Sequence, residues 1–460
     1  MKRRYDVVIV GCGVAGCFTA LHLPSDTRIL MVTKSAAEES DSFLAQGGIC
    51  VMKNPEDYDS YFEDTMRAGH YENRRASVDQ MIRASQGVIR ELIGYGVDFA
   101  RENGELVYTR EGAHSTNRIL YHEDITGKEI TSHLLEATRR LPNVEIEEHT
   151  EMVDILCQGN SCDGVLLWTP DREIVPVFAC HVMWACGGIG GIYENSTNYP
   201  HLTGDALALA IRHHITLEHI NYVQIHPTTL YSPKKERRFL ISESVRGEGA
   251  VLLDKNGNRF ADELMPRDLL SQAILRQMKK DGTKYVWLNM MAIQNMDITK
   301  RFPHIYSHCL EVGYDVTKQW IPVVPAQHYF MGGVYVDQNS HTSMHHLYAA
   351  GETSCNGVHG RNRLASNSLL ESLVFAKAAA ERMRTYRSVD ERDRASVRFI
   401  DYVDLTLEDL AQVYDLEMDS YYKREQYAEH NKERVWEEIH REDTMQKEIL
   451  EKRSGKDNHD

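Results

Sequence analysis

The sequence predicts an α/β fold in three parts: an initial β-α-β unit, an inserted block of mixed α+β texture, and a helical tail. Three observations carry this expectation. The chain opens on a short apolar run, YDVVIV at 5–10, which stops at glycine and gives way to a helical pattern. The texture turns to mixed short elements over about 216–325, then returns to strand, glycine loop and helix over 326–385. From 386 onward the chain is charged and carries glycine only at Gly455. A chain of 460 residues exceeds what one core organises, so domains are expected at 1–215 with 326–385, at 216–325, and at 386–460.

Each element has a local reason. Residues 5–10 are apolar on both faces, as a buried parallel strand requires; CFTALHL then reads as a helix and RILMVTK as the second strand. A helix over 77–95 is expected to start on a Ser77-x-x-Gln80 capping box, and another over 127–141 to end at Pro142. Alternation in VEIEEHTEMVDIL, GVLLWT and EIVPVFA predicts an antiparallel meander. LLDKNGNRFA predicts a hairpin in the inserted block. In the tail, DLTLEDLAQVYDLEMDSYY has helical spacing, and a few exposed helices followed by ten disordered residues are expected.

Composition narrows the function. A formal net charge of -16 argues against a nucleic-acid partner, because neutralising phosphates needs a basic face. The opening MKRRYDVVIVGCG is no signal peptide and no later run of about 18 apolar residues occurs, so a cytoplasmic protein without a membrane anchor is expected. Nine cysteines without a C-x-x-C pair read as reduced thiols, and 22 histidines without ligand spacing give no reason to expect a metal.

The chemistry sits in glycine loops. Gly11-Cys12-Gly13-Val14-Ala15-Gly16 lies between a strand and a helix, where Gly11 makes the tight turn, Gly13 admits a pyrophosphate and Gly16 allows close helix–strand packing. The helix N-terminus, including Ala15, offers its dipole to phosphate. The second strand ends in Thr33-Lys34, where an acid is expected for ribose hydroxyls; Glu352, in Ala350-Gly351-Glu352, is a carboxylate suited to that role. Ser42-Phe43-Leu44-Ala45-Gln46-Gly47-Gly48 and Ala185-Cys186-Gly187-Gly188 add two more loops of small residues, together suiting a long ligand. Asp205, in Thr203-Gly204-Asp205, reads equally as a helix cap and as a cofactor contact.

These loops, followed by H-G-x-N-R-L-A-S-N-S-L-L-E at 359–371, resemble the fumarate reductase/succinate dehydrogenase flavoprotein superfamily over about residues 5–385. The resemblance implies FAD, a Rossmann-like FAD-binding domain and an inserted capping domain. It places Ser366, Ser368 and Leu369 among the cofactor contacts, with Ser368 and Leu369 at a helix N-terminus facing the flavin. Several superfamily members carry a basic or neutral residue at the Lys34 position, so Lys34 stays among the expected cofactor contacts.

A dicarboxylate needs donors for two carboxylates, and loss of hydride from Cα needs a second group to take a proton. The resemblance gives carboxylate binding to His226, Ser242, His328 and Arg363, and proton transfer to Arg267, relayed through Glu243 and Arg246. Where the membrane-bound members carry a histidine that attaches FAD, this chain has Asp41, so FAD is expected to be non-covalent. Arg110-Glu111-Gly112-Ala113-His114-Ser115, MPRDLLSQAI and PAQHYFMGGVYVD resemble the L-aspartate oxidases, with Ala113 replacing a glycine. In that reading Glu111 faces the substrate ammonium; the plainer alternative is a solvated loop residue paired with Arg110. The implied reaction is L-aspartate to iminoaspartate, with O2 (giving H2O2) or fumarate (giving succinate) as acceptor. It opens de novo NAD biosynthesis, with transient contact to quinolinate synthase. A soluble fumarate reductase or succinate-oxidising flavoprotein, and a non-catalytic dinucleotide-binding protein, are the alternatives. The helical tail is shorter than the family's usual C-terminal domain.

Overall fold

The computed structural model describes residues 3–234, 236–294, 296–387 and 405–456. Its centre is a seven-stranded sheet. Arg3–Val10 pairs in parallel with Ile29–Val32 on one side and Ile174–Trp184 on the other, and Val144–Glu147 extends the sheet beyond Ile29–Val32. The first half of Ile174–Trp184 runs antiparallel to Ser161–Trp168, which pairs with Glu151–Gln158; its last residues pair in parallel with Leu347–Ala349. The run at 144–156 is therefore two strands in different places, not one. It breaks at His149, whose φ of 53° no extended strand can carry.

Alternation along the first strand sends side chains to two cores. Val7 and Ile9 join Phe18, Leu134 and Phe375 beneath the helices Val14–His22, Thr126–Arg139 and Asn367–Arg387. Val8 and Val10 join Leu207, Ala210 and Val435 beneath Asp205–Arg212 and the tail helix Arg424–Lys456. Helices on both faces are what an all-apolar parallel strand demands.

The expected capping box is not formed. The helix spans Arg75–Gly94 with no side-chain cap, and Ser77 is its buried third residue. Tertiary contacts set the start instead: Arg74 N–H donates to Gly357 O (2.7 Å), and its guanidinium reaches Val336 O and Cys355 O.

A second, four-stranded antiparallel sheet has the order Val223–Leu230, Ile321–Phe330, Val286–Asn289, Val251–Leu253. Its own core of Leu252, Ile274, Phe302 and Ile321 lies under the helices Arg267–Asp281 and Pro303–Glu311. The boundary expected at 325/326 falls inside the strand Ile321–Phe330, whose pairing continues to Phe330. LLDKNGNRFA forms a tight turn, with Asp254 accepting from the backbone of Asn256 and Asn258, but only one bridge, Leu253 to Arg259. Val286–Asn289 takes the edge that a longer hairpin would use.

The tail forms Leu407–Val413, Met418–Tyr422 and Arg424–Lys456. These helices are docked rather than merely exposed: Leu410, Tyr421 and Val435 are fully buried, and Tyr427 Oη donates to Val153 O (2.6 Å). The last helix runs to Lys456, into the segment expected to lack structure; residues 388–404 and 457–460 lie outside the described residues. Among the described residues no helix is long and apolar enough to cross a membrane.

Candidate active site

One cavity of about 320 Å³ is walled by both sheets' loops and takes in nearly all the residues singled out above. At one end lies the turn after the first strand. Gly11 has φ 115°, and a Cβ there would lie 2.0 Å from Ala185 O; a Cβ on Gly16 would lie 2.0 Å from Gly11 O. Both positions are closed to any other residue. Gly13 precedes the helix Val14–His22, whose first N–H bonds Ser42 Oγ (3.2 Å), so this N-terminus opens onto the cavity.

Lys34 is occupied by carboxylates: Asp205 at 2.9 Å and Glu151 at 3.5 Å. Asp205 is the first residue of its helix, and Gly204, left-handed at φ 77°, occupies the cap. The cap reading of Asp205 therefore fails, while its place on the cavity wall stands. Glu352 is half-buried on the cavity wall and accepts from Phe330 N–H (2.9 Å). Burial, helped by the nearby Asp41 charge, pushes its carboxyl well above the usual range. Asp41, half-buried and poorly solvated on the same wall, is pushed up to about 7.

Three of the expected residues stand behind the wall. Gly16 packs helix on strand, and Gly188 makes room for Glu352, since a Cβ there would lie 2.4 Å from Glu352 Oε1. Arg246 is fully buried behind Glu243, 3.7 Å from Glu243 Oε2.

The far end of the cavity is cationic and polar. Arg267 heads the helix Arg267–Asp281, donating from Nε to Glu243 Oε2 (2.5 Å) and from Nη1 to Gln224 Oε1 (2.8 Å). Arg363 donates to Ser368 Oγ (3.1 Å) and lies over the Tyr329 ring (4.5 Å). Burial, with Arg267 nearby, lowers Arg363 to about 10. His226 and His328 cross edge to face at 5.0 Å. His226 Nδ1 rests on the Thr228 backbone and His328 Nδ1 on Thr197 Oγ1 (2.8 Å), leaving each Nε2 for a ligand. Burial first, and the Arg267 charge second, hold both rings well below the usual histidine range, so both are neutral. Ser242 caps the short helix Glu243–Gly247.

Glu111 is not a solvated residue. Its side chain is 4 % exposed on the cavity wall, accepting from Ser244 Oγ (2.8 Å) and Ser366 Oγ (2.6 Å). Among the described residues it has no ion-pair partner, so the alternative of a surface pair with Arg110 is ruled out. Its loop is held from behind by Arg118, fully buried between Asp57 (3.0 Å) and Asp64 (2.6 Å). Ala113 has φ 67°, which explains why glycine is the expected residue there.

The residues fit a long dinucleotide. The glycine-walled end opens on a helix N-terminus, and several buried polar atoms on the wall have no protein partner: Ser40 Oγ, Asp41 Oδ2, Gln46 Oε1, His226 Nε2 and Arg363 Nε. Such atoms are costly to bury unless a ligand satisfies them.

Comparisons with known proteins agree with this geometry. Residues 6–369 match the family model described as FAD binding domain. An L-aspartate oxidase of Clostridium perfringens is 50% identical over 387 residues, covering 84% of this chain and 88% of that protein. The chain belongs to the L-aspartate oxidase family. A second member, from Clostridium acetobutylicum, is 48% identical over 395 residues, covering 85% of this chain and 91% of that protein. Among solved structures, a mutant E. coli quinol fumarate reductase FrdA superposes with a TM-score of 0.77 at 28% identity, covering 88% of this chain and 76% of that one. Like its family, this chain is an FAD-dependent oxidoreductase.

Three site residues escape a reading of the sequence. Gln224 joins Arg267 to the Arg363 loop, donating to Arg363 O (2.8 Å); Ser244 is the second hydroxyl on Glu111; Thr197 orients His328. None lies in a motif of its own. The only signal is adjacency, since Gln224 and Ser244 each stand two residues from a site residue, His226 and Ser242.

Proposed function

We propose that this chain oxidises L-aspartate to iminoaspartate, with non-covalent FAD. The observation that carries the reading is Glu111, a buried carboxylate held by two serine hydroxyls and, among the described residues, in no direct ion pair, in the cavity that also holds Arg363, His226, His328 and Arg267. A buried carboxylate whose direct partners are hydroxyls is well placed to receive a substrate ammonium. Neither succinate nor fumarate offers one.

In this reading Arg363 pairs one substrate carboxylate, while His226 and His328, through Nε2, and Ser242 donate to the other. Glu111 receives the ammonium and fixes which carbon faces the flavin. Gly11, Gly13, Ala15, Ser42, Phe43, Ala45, Gln46, Gly47, Gly48, Ala185, Gly187, Lys34, Asp205, Glu352, Ser366, Ser368 and Leu369 would hold FAD, with Gly16 and Gly188 shaping the wall behind. When bound, the flavin supplies an acceptor for the hydride lost from Cα. The proton shed on forming the imine goes to Arg267, whose Nε already bonds Glu243 (2.5 Å), with Arg246 beyond. Arginine is a poor base in water; Glu243, which accepts from its Nε, offers a carboxylate through which the proton is relayed. Asp41 supports the non-covalent cofactor, because a carboxylate cannot form a histidyl linkage. O2, giving H2O2, or fumarate, giving succinate, closes the cycle. The labile imine suits prompt use by quinolinate synthase in NAD biosynthesis.

The test is anaerobic mixing of the yellow holoprotein with L-aspartate or with succinate, following flavin absorbance. Bleaching by L-aspartate with an imine product is expected. Bleaching by succinate alone would replace the proposal with a succinate-oxidising or fumarate-reducing enzyme.

A further inference from the structure

Away from the cavity, on the far strand of the main sheet, a cysteine, a histidine and an aspartate stand in line. Cys157 Sγ lies 3.3 Å from His213 Nδ1, and His213 Nε2 lies 2.6 Å from Asp154 Oδ1. Cys157 and Asp154 belong to the edge strand Glu151–Gln158, and His213 is the C-cap of the helix Asp205–Arg212. Asp154 is fully buried, and its second oxygen is held by Arg212 (2.6 Å) and by the Tyr421 hydroxyl from the tail. This is the order of a nucleophile, a base and the group that orients the base. A helix C-terminus and a fixed carboxylate both favour a histidine cation. Although burial disfavours that cation, the bonds to Asp154 and Cys157 outweigh it and take His213 up to about 9.

The neighbouring strand supplies a second thiol. Cys162 is the direct cross-strand partner of Cys157, and both pack against the same core. Facing residues of an antiparallel pair have Cα atoms about 4.5–5.5 Å apart, within disulfide range. Cys157 is half-buried at a hairpin end and Cys162 is fully buried, so a reagent meets Cys157 first. Nothing in the aspartate-oxidising reading uses any of these residues.

We propose that Cys157 is a peroxide-reactive thiol, with His213 as the cation that pairs its thiolate, Asp154 as the orienting group and Cys162 as the resolving partner. The Cys157 thiolate, paired with the His213 cation, attacks one oxygen of hydrogen peroxide; the O–O bond breaks, and the departing hydroxide takes the proton from His213 as water. The Cys157 sulfenic acid then condenses with the Cys162 thiol, forming S–S and releasing a second water. Two thiols are oxidised and one peroxide is reduced to two waters.

The test treats reduced holoprotein with hydrogen peroxide, alkylates the remaining thiols and maps peptides by mass spectrometry. Cys157 should be oxidised at least about tenfold faster than Cys180 or Cys186, the other partly exposed cysteines, and should appear linked to Cys162. Cys162→Ser should stop at a sulfenic acid that dimedone traps on Cys157, and His213→Gln should slow its formation by a similar factor. Equal oxidation of Cys157, Cys180 and Cys186 in the unaltered protein overturns the proposal without any variant. So does a Cys157 whose rate is indifferent to His213→Gln.

Discussion

Replacing Glu111 by Gln removes a charge while keeping the shape of the side chain, so it isolates what that charge does for the substrate. The amide can keep one serine hydroxyl as donor through its oxygen and donate to the other, so Ser244 and Ser366 remain partnered. An ammonium about 3 Å from the carboxylate gains about 5 kcal/mol at an effective dielectric near 20. Desolvation of the ammonium offsets part of this, leaving about 1.5–3 kcal/mol, the usual net worth of a hydrogen bond to a charged group. At about 1.4 kcal/mol per decade, kcat/KM for L-aspartate should fall roughly 10- to 150-fold. Fumarate carries no ammonium, so its reduction by chemically reduced enzyme should change by less than about threefold. The assay compares anaerobic flavin reduction by L-aspartate with flavin reoxidation by fumarate, for both proteins at matched FAD content. Equal losses on the two substrates would mean that Glu111 is a structural strut, and no loss on L-aspartate would mean that the ammonium sits elsewhere.

Other outcomes follow from the same geometry. Arg267→Lys should lower kcat by about 100-fold or more with FAD content unchanged, since an ammonium cannot bond Glu243 and Gln224 in Arg267's fork; near-normal turnover would remove Arg267 from proton transfer. Precipitation with acid should release the yellow cofactor into the supernatant; colour retained in the pellet would mean a covalent bond despite Asp41. Ala113→Gly should raise stability by about 1 kcal/mol, read as a shift in denaturation midpoint, because φ 67° costs alanine what glycine avoids. His114, held at about 4 by burial and by Arg118, should weaken the fold in acid. The unfolded chain takes up its proton below about 6.5 and the native protein only near 4, so stability constant above that window falls as pH drops through it, by up to about 3 kcal/mol. His114→Gln should flatten that limb between pH 6.5 and 4 in chemical denaturation; an unchanged slope would place the acid sensitivity on other groups.

The glycines and the strand-helix alternation were legible in the sequence because their constraints are local. Gly11 and Gly16 are demanded by a turn that closes within six residues, and a strand apolar on both faces announces a sheet covered twice. The roles expected at Arg267, His226, His328 and Arg363 came from the superfamily resemblance, since taken singly each residue type has a plainer use. What the sequence misassigned depended on partners far along the chain. Ser77 lost its capping role because Arg74 is anchored to Gly357 and Cys355, and the tail became a docked layer because Asp154 and Val153 receive Tyr421 and Tyr427. Lys34 ceased to be an anomaly once Asp205 and Glu151 were seen around it. Glu111 is the sharpest case. Its residue type is plain in the sequence, but whether it is a solvated loop residue or a buried carboxylate held by hydroxyls depended on Ser244, Ser366 and the Arg118 anchor. Burial and counter-ions are properties of the folded neighbourhood, and only the tertiary structure could decide them.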